Sequence, residues 1–99
     1  MAGLSDLTSA AAVRRAIAEF DEIGRDAFLE KYQFGKARSY FLIHGGKRYD
    51  SKAIAGAAIG YQYPKHGPLA GRDFVGGYAT VQPTLESLGF TVISDDKLA

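Results

Sequence analysis

A pair of glycines at positions 45–46, set between two short apolar runs, is the feature that most restricts how this chain can fold. A two-residue Gly-Gly connection favours a type I′ turn, which requires positive φ at both positions. The runs therefore predict an antiparallel hairpin with strands at residues 39–44 and 47–50. In this register Leu42 lies opposite Tyr49, but both faces carry apolar groups, so the pattern leaves open which face is buried.

Apolar residues at three- and four-residue spacing predict helices on both sides of the hairpin. The first helix is expected to begin near Thr8, a favourable N-cap residue, and to end at Gly24. The other three are expected at about residues 25–32, 51–61 and 80–88. A last strand at residues 90–93 is expected to pair with the hairpin. The predicted fold class is α+β, with about four helices packed on a small antiparallel sheet made of the central β-hairpin and the C-terminal strand.

The third helix, which Asp50 or Ser51 is expected to cap, contains a row of small residues at helical spacing. Two of them, Gly56 and Gly60, each cost about 1 kcal/mol relative to alanine inside a helix, so close backbone packing is expected there. Tight packing on another helix or on the hairpin is the main explanation. Close approach to a ligand backbone is the alternative.

The length of the chain, 99 residues, suits one domain with a modest core, expected from about Thr8 to Ile93. The lack of cysteine excludes disulfides, thiolate zinc sites and a cysteine nucleophile, and it favours an intracellular, cytoplasmic location. No apolar run approaches the roughly 20 residues that span a bilayer, and the first residues do not resemble a signal peptide. We therefore expect no membrane partner.

Charge is divided unevenly along the chain. Residues 31–72 contain eight basic residues and one acidic residue, Asp50, for a net charge of +7, whereas the two flanking segments together carry −6. Seven of the twelve aromatic residues lie in the same basic segment. Because clustered cations create a local field that attracts polyanions whatever the net charge, double-stranded DNA is the leading predicted partner.

Nine residues of the basic segment are candidate nucleic-acid-binding residues: Lys36, Arg38, Lys47, Arg48, Ser51, Lys52, Lys65, His66 and Arg72. Ser51 and Lys52 are included because free amides at the start of the third helix could also hold a phosphate. The alternative is a solvated basic face with no partner. The lack of compensating acids within the segment argues against that alternative.

Three tyrosines of the segment, Tyr49, Tyr61 and Tyr63, could stack on bases or lie along a sugar–phosphate backbone. They could equally form a cluster at the edge of the core with their hydroxyls in water.

Catalytic and metal-binding constellations are not predicted, and no cofactor is expected. The two histidines, His44 and His66, are 22 positions apart without paired carboxylates nearby. Asp50-Ser51-Lys52 matches the D-x-K end of one nuclease signature, but that chemistry needs a second carboxylate converging on a divalent metal.

The stretch FGKARSYFLIHGGKRYDSKAIAGAAIGYQY, followed by PLAGRDFVGG and TVQPTLESLGFTV, resembles the N-terminal head domain of ScoMcrA-like, modification-dependent (type IV) HNH restriction endonucleases. The resemblance implies a DNA-associated accessory domain of a bacterial restriction system. Such a domain is placed ahead of modules that recognise phosphorothioated or methylated DNA and ahead of an HNH nuclease. Because the chain has no asparagine, no cysteine and two histidines, it is not expected to hold an HNH site itself. It is expected to be an N-terminal domain of a larger nuclease.

Two functions remain open at this point. The first is a non-catalytic DNA-binding domain that contacts about three to five phosphates, for which the logarithm of the affinity should fall with log salt at a slope of about −3 to −4.5. The second is a protein-interaction or dimerisation module that docks onto other domains of the parent nuclease. In that case the acidic first helix and the basic centre could also pair between copies, giving a homodimer.

Overall fold

The fold, taken from a computed structural model that describes residues 2–74 and 80–94, is α+β, as predicted. In these ranges four α-helices pack against one three-stranded antiparallel sheet. The helices are α1 (Ala10–Ile23), α2 (Arg25–Tyr32), α3 (Ser51–Gln62) and α4 (Val81–Ser87). The strands are β1 (Tyr40–His44), β2 (Lys47–Asp50) and β3 (Thr91–Ser94). Short 3-10 turns occur at Leu4–Asp6 and Gly71–Asp73.

The sheet has the order β2-β1-β3, so the first hairpin strand is central and the C-terminal strand pairs with it. The predicted register is confirmed, because Leu42 faces Tyr49 across the hairpin. Gly45 and Gly46 have φ values of 60° and 76°, the positive pair that a type I′ turn requires. The face that carries Leu42, Tyr49 and Val92 packs into the main core, which answers the question that the sequence left open.

The first helix begins later than expected, because Ser9 rather than Thr8 is its N-cap. The Ser9 hydroxyl accepts a hydrogen bond from the Ala12 amide at 3.0 Å. Thr8 has a different role, since its hydroxyl accepts from Gln62 Nε2 at 2.7 Å and ties the start of α1 to the end of α3. The end at Gly24 is confirmed, with a φ of 89° that favours glycine.

The two glycines of α3 do mark close packing, but the partner is a loop and not a helix or the hairpin. A Cβ atom added to Gly56 would lie 2.5 Å from the Leu69 carbonyl oxygen, and one added to Gly60 would lie 2.8 Å from the Pro68 nitrogen. The Leu69 amide in turn donates to the Gly56 carbonyl at 3.0 Å. The segment after α3 therefore lies directly on the helix, which fixes the position of Gly71 and Arg72 beyond it.

Within the described ranges, no helix is long and apolar enough to span a bilayer.

Candidate nucleic-acid interface

A cleft of about 410 Å³ opens where three segments of the chain meet. Its walls are the loop at residues 33–37 after α2, the first turn of α3, and the start of the 3-10 turn at residues 71–72. Three of the predicted DNA-binding cations, Lys36, Lys52 and Arg72, line it together. These residues are up to 36 positions apart in the sequence, and the fold brings them together.

The end of α2 turns the chain into this cleft. Gln33 adopts the left-handed conformation, with a φ of 63°, and so stops the helix. The next amide, that of Phe34, donates to the Leu29 carbonyl at 2.9 Å, and the Gln33 carbonyl accepts from the Gly71 amide at 3.3 Å. Gly71 is needed at this crossing, since a Cβ atom there would lie 3.0 Å from the Gln33 carbonyl oxygen.

A buried carboxylate, Asp50, lies at the inner end of the cleft, with its side chain 4% exposed. Arg25 approaches it with two donors, Nε to Oδ1 at 2.8 Å and Nη2 to Oδ2 at 2.9 Å, and the Ala37 amide donates to Oδ2 at 2.8 Å. The hydrogen bonds to Asp50 raise the pKa of Arg25, so the guanidinium stays protonated.

The prediction that the Asp50 side chain caps α3 is therefore wrong. Asp50 occupies the N-cap position of α3, but its carboxylate makes no cap hydrogen bond because Arg25 and Ala37 occupy it. Ser51 does not replace it, since its buried hydroxyl donates to the Tyr40 carbonyl at 3.2 Å. The Ser51 side chain is thus turned away from solvent, and only its backbone amide remains as a candidate contact.

Lys52 and Arg72 are held in place by neutral groups of the cleft wall. Lys52 Nζ donates to the Gly71 carbonyl at 2.8 Å and lies 5.0 Å from the ring centroid of Phe74. Arg72 Nη1 donates to the Gln33 side-chain oxygen at 2.7 Å. Because their hydrogen-bond acceptors here are uncharged, both side chains keep their positive charge available to an anion in the cleft.

Lys36 is an exposed cation of the cleft, with a side chain 67% exposed. Its Nζ lies 3.7 Å from Asp26 Oδ1, which is itself on the surface of α2. Exposed pairs of this kind contribute about 0–1 kcal/mol, so the contact can exchange for a phosphate at little cost.

The remaining predicted cations lie in two other places. Lys47 and Arg48 are exposed at the hairpin turn, where Lys47 Nζ is 3.8 Å from Asp21 Oδ1 and the Arg48 guanidinium lies 4.9 Å from the Phe41 ring centroid. Lys65 and His66 are exposed just beyond the C-terminal end of α3, and that end, at Gln62, is about 15 Å along the helix axis from Lys52.

The predicted DNA-binding cations thus lie in separate parts of the structure. Arg38 is exposed between the cleft loop and β1, and it directly follows Ala37, which lines the cleft. His66 Nδ1 is 2.8 Å from the Gly67 carbonyl oxygen, at the far end of α3. At the cleft, three of the candidate cations line a single cavity.

The three predicted stacking tyrosines all use their hydroxyls within the fold. Tyr61 donates to Glu19 Oε1 at 2.8 Å, and Tyr63 donates to the Asp6 carbonyl at 2.8 Å. Tyr49 donates to Asp21 Oδ1 at 2.9 Å and is 2% exposed. Burial and this hydrogen bond raise the pKa of Tyr49 to about 12. Its ring is inside the core, so the prediction that Tyr49 stacks on a base does not fit the structure, and the hydroxyl is not in water as the core-edge interpretation expected.

Residues 5–94 match the family described as the ScoMcrA-like N-terminal head domain. The chain belongs to this family. A solved structure, that of the type IV phosphorothioation-dependent restriction endonuclease ScoMcrA, is similar to it with a TM-score of 0.63 and 36% sequence identity. The match covers 87% of this chain and 12% of that protein, so the chain spans about an eighth of its length. The comparison with curated proteins gives no match.

Several acids from outside the basic segment fold onto it. Three of them approach its lysines: Glu19 contacts Lys31, Asp26 lies near Lys36, and Asp21 lies near Lys47. The basic segment therefore lacks compensating acids along the chain but not in space. In the lining of the cleft, Lys36, Lys52 and Arg72 still outnumber the one acid, Asp50.

Sequence reasoning missed two residues that shape this surface. Arg25 belongs to the acidic flank but forms the inner end of the cleft with Asp50. The helical spacing of α1 places Glu19 off the apolar face, yet its side chain is 9% exposed and accepts hydrogen bonds from Lys31, Tyr32 and Tyr61. The sequence around a polar helical residue does not indicate such burial, because its hydrogen-bond partners lie on other elements of the fold.

Among the described residues, no group of three or more histidine, aspartate or glutamate side chains is arranged to hold a metal ion.

Proposed function

We propose that this head domain binds double-stranded DNA, and that it contacts the phosphate backbone with the cations of the cleft and the exposed cations beside it. The observation that carries the proposal is the charge of the cleft. With its immediate contacts it holds four cations and two carboxylates: Lys36, Lys52, Arg72 and Arg25 against Asp50 and Asp26. The net charge of +2 is concentrated where an anion can approach.

The chemistry of the ligand follows from this charge. Duplex DNA carries one phosphate charge per about 1.7 Å of axis, and each neutralised phosphate releases counterions. Lysine and arginine side chains on separate segments can follow such a backbone, with Arg38 extending the surface towards the sheet. The family supports a DNA partner, since the similar solved structure is that of a restriction endonuclease.

In this proposal the domain positions DNA and does not cut it. Contacts to phosphates fix the register of a protein on DNA without reading the sequence. Selectivity for a modified base or backbone, and the cleavage chemistry, would then belong to other domains of a restriction enzyme. The site of action would be the cytoplasm, where the DNA is.

The competing hypothesis is a protein-interaction or dimerisation module. It uses the acidic surface of α1 and α2 as one partner and the basic segment as the other. Within one copy, however, Asp21 and Asp26 already approach Lys47 and Lys36. Head-to-tail pairing would exchange these pairs for equivalent pairs between copies, with no net electrostatic gain, whereas binding to duplex DNA also releases condensed counterions.

The proposal is tested by fluorescence-anisotropy titration of labelled duplexes that are unmodified, methylated or phosphorothioated. We expect all three to bind with similar affinity, because a phosphate contact does not depend on base methylation and a phosphorothioate keeps the negative charge of the phosphate that it replaces. A strong preference for one modified duplex would show a reader with its own pocket. The absence of binding to every duplex at low salt, together with concentration-dependent sedimentation, would replace the proposal with the interaction module.

A further inference from the structure

The cleft is not uniformly positive, because its polarity changes from the mouth to the inner end. Lys36 and Arg72 are exposed at the mouth, whereas the Asp50 carboxylate is buried at the inner end. The half-buried Phe34, whose ring packs close to Gly56 and Gly71, also lines the cleft. A phosphate would be attracted to the mouth but repelled by the carboxylate farther in.

The Asp50 carboxylate has unused acceptor capacity. From residues 2–74 and 80–94, Oδ2 accepts two hydrogen bonds, from Arg25 Nη2 and the Ala37 amide, whereas Oδ1 accepts one, from Arg25 Nε. A carboxylate offers about four acceptor positions, two on each oxygen. One position on Oδ1 therefore remains for a donor that enters the cleft.

The size of the cleft suits a small organic group more than a bare ion. Its volume of about 410 Å³ falls in the range of roughly 300–1,000 Å³ that is usual for small-molecule sites. A ligand that matches the walls has an anionic end for the cations, a flat apolar body for Phe34 and a donor for Asp50. A nucleotide with an exocyclic amino group has these three parts in this order.

We infer that the cleft binds a single nucleotide, with its phosphate at Lys36 and Arg72 and the amino edge of its base at Asp50 Oδ1. In DNA this would be a nucleotide extruded from the stack, which depends on the proposed DNA-binding function. A free mononucleotide has the same chemistry. Adenine, cytosine and guanine carry the required amino group, and thymine does not.

The test uses two ligands that differ in one group. The ¹⁵N-labelled domain is titrated with deoxyadenosine monophosphate, with the purine deoxyriboside monophosphate that lacks the amino group, and with inorganic phosphate. We expect saturable shifts at the amides of Gly35, Ala37 and Gly71, and about tenfold weaker binding of the purine analogue, because a hydrogen bond to a charged acceptor is lost. Equal affinity for the two nucleotides, or shifts confined to another surface, would overturn the inference.

A second comparison places the nucleotide in DNA. Duplexes with one unpaired adenine, with one unpaired purine that lacks the amino group, and with full pairing are titrated in parallel. The inference predicts that the unpaired adenine gives the tightest complex, and that Lys36→Gln removes this advantage while Lys65→Gln, with the same loss of charge, keeps it.

The DNA-binding proposal and the nucleotide-pocket inference are contradicted by different results. If paired and unpaired duplexes bind equally and Lys36→Gln weakens both, DNA binding stands and the nucleotide pocket is wrong. If mononucleotides shift the cleft amides but no duplex binds, the pocket stands as a site for a free nucleotide and the DNA-binding proposal is wrong.

Discussion

Two carboxylates are buried in the described part of the chain, and their surroundings differ. Glu19 lies between α1, α2 and α3, where a lysine and two tyrosines donate to it from three sides. Asp50 lies where β2 meets α3, held by one arginine and one backbone amide. Glu19 ties helices together, whereas Asp50 holds a loop beside a cleft that cations line.

The pKa of Glu19 reflects hydrogen bonds that this carboxylate makes within the fold. Burial alone would raise the pKa of Glu19, but the hydrogen bonds from Lys31, Tyr32 and Tyr61 and the charge of Lys31 outweigh it, so the pKa lies below its ordinary value. A buried carboxylate can therefore hold elements of the core together, as Glu19 does, or help to form an open site, as Asp50 does. The positions of its hydrogen-bond donors determine which of the two it does.

Removal of Arg25 is expected to have the largest effect, because it leaves the Asp50 charge buried without its partner. Breaking a fully buried pair costs about 3–5 kcal/mol, and we expect about 2–3 kcal/mol for Arg25→Met, because the arginine is 39% exposed and water can enter. Urea unfolding measures it, with the exposed Arg14→Met as control. A loss below about 0.5 kcal/mol would mean that Asp50 does not depend on this pair.

A methyl group at Gly56 is expected to displace the loop that carries the cleft wall. The added carbon would lie 2.5 Å from the Leu69 carbonyl oxygen and 2.6 Å from Phe34 Cζ. We expect Gly56→Ala to cost about 1–3 kcal/mol by overpacking, even though alanine is the better helix former. Gly35→Ala is the matched control, since nothing lies within 4 Å of its added Cβ. Equal stability of the two variants by thermal unfolding would contradict the close packing.

Glu19 should affect stability and its acid dependence but not DNA binding. Because the pKa of folded Glu19 lies below its ordinary value of 4.5, its contribution is present above pH 4.5 and is lost as the pH falls through the folded pKa. Glu19→Gln should cost about 1 kcal/mol at pH 7 and reduce the loss of stability on acidification. Urea unfolding between pH 3 and 7 measures this, and an unchanged pH profile would speak against the hydrogen-bond account.

The smallest expected effect is a gain in affinity for duplex DNA. Asp26→Asn removes the carboxylate that lies 3.7 Å from Lys36, so the lysine is more available to a phosphate. We expect duplex affinity to rise about two- to threefold at low salt, with stability changed by less than about 0.5 kcal/mol. Glu30→Gln, on the same helix and with the same change of charge, is the control. An equal gain in both variants would indicate net charge and not the Lys36 pair.

Local patterns were sufficient to predict the elements of this fold. The glycine pair at 45–46 predicted the hairpin and its register, and α2 occupies the predicted residues 25–32. The start of α1 was misplaced because Thr8 and Ser9 are both good N-caps, and the choice depends on a tertiary contact of Thr8 with Gln62.

The site was less predictable, because it depends on contacts between distant segments. The charge pattern selected Lys36, Lys52 and Arg72 but could not separate them from Lys65, which lies near the other end of α3. The role of Asp50 was misread because the sequence at its position is that of a helix cap, while the arginine that occupies it is 25 positions away. Burial of Tyr49 likewise follows from the packing of α1 on the hairpin and not from its own neighbours.

The central claim is that the cations of the cleft contact the phosphates of duplex DNA. Its most direct test is the slope of log affinity against log salt for three proteins: the unmodified domain, Lys36→Gln/Arg72→Gln in the cleft, and Arg14→Gln/Lys65→Gln away from it. Each phosphate contact contributes about −0.9 to the slope, so the cleft variant should lose about two units of slope and the distal variant almost none. Equal slopes for the two double variants would contradict the account, because binding would then follow net charge and not the cleft.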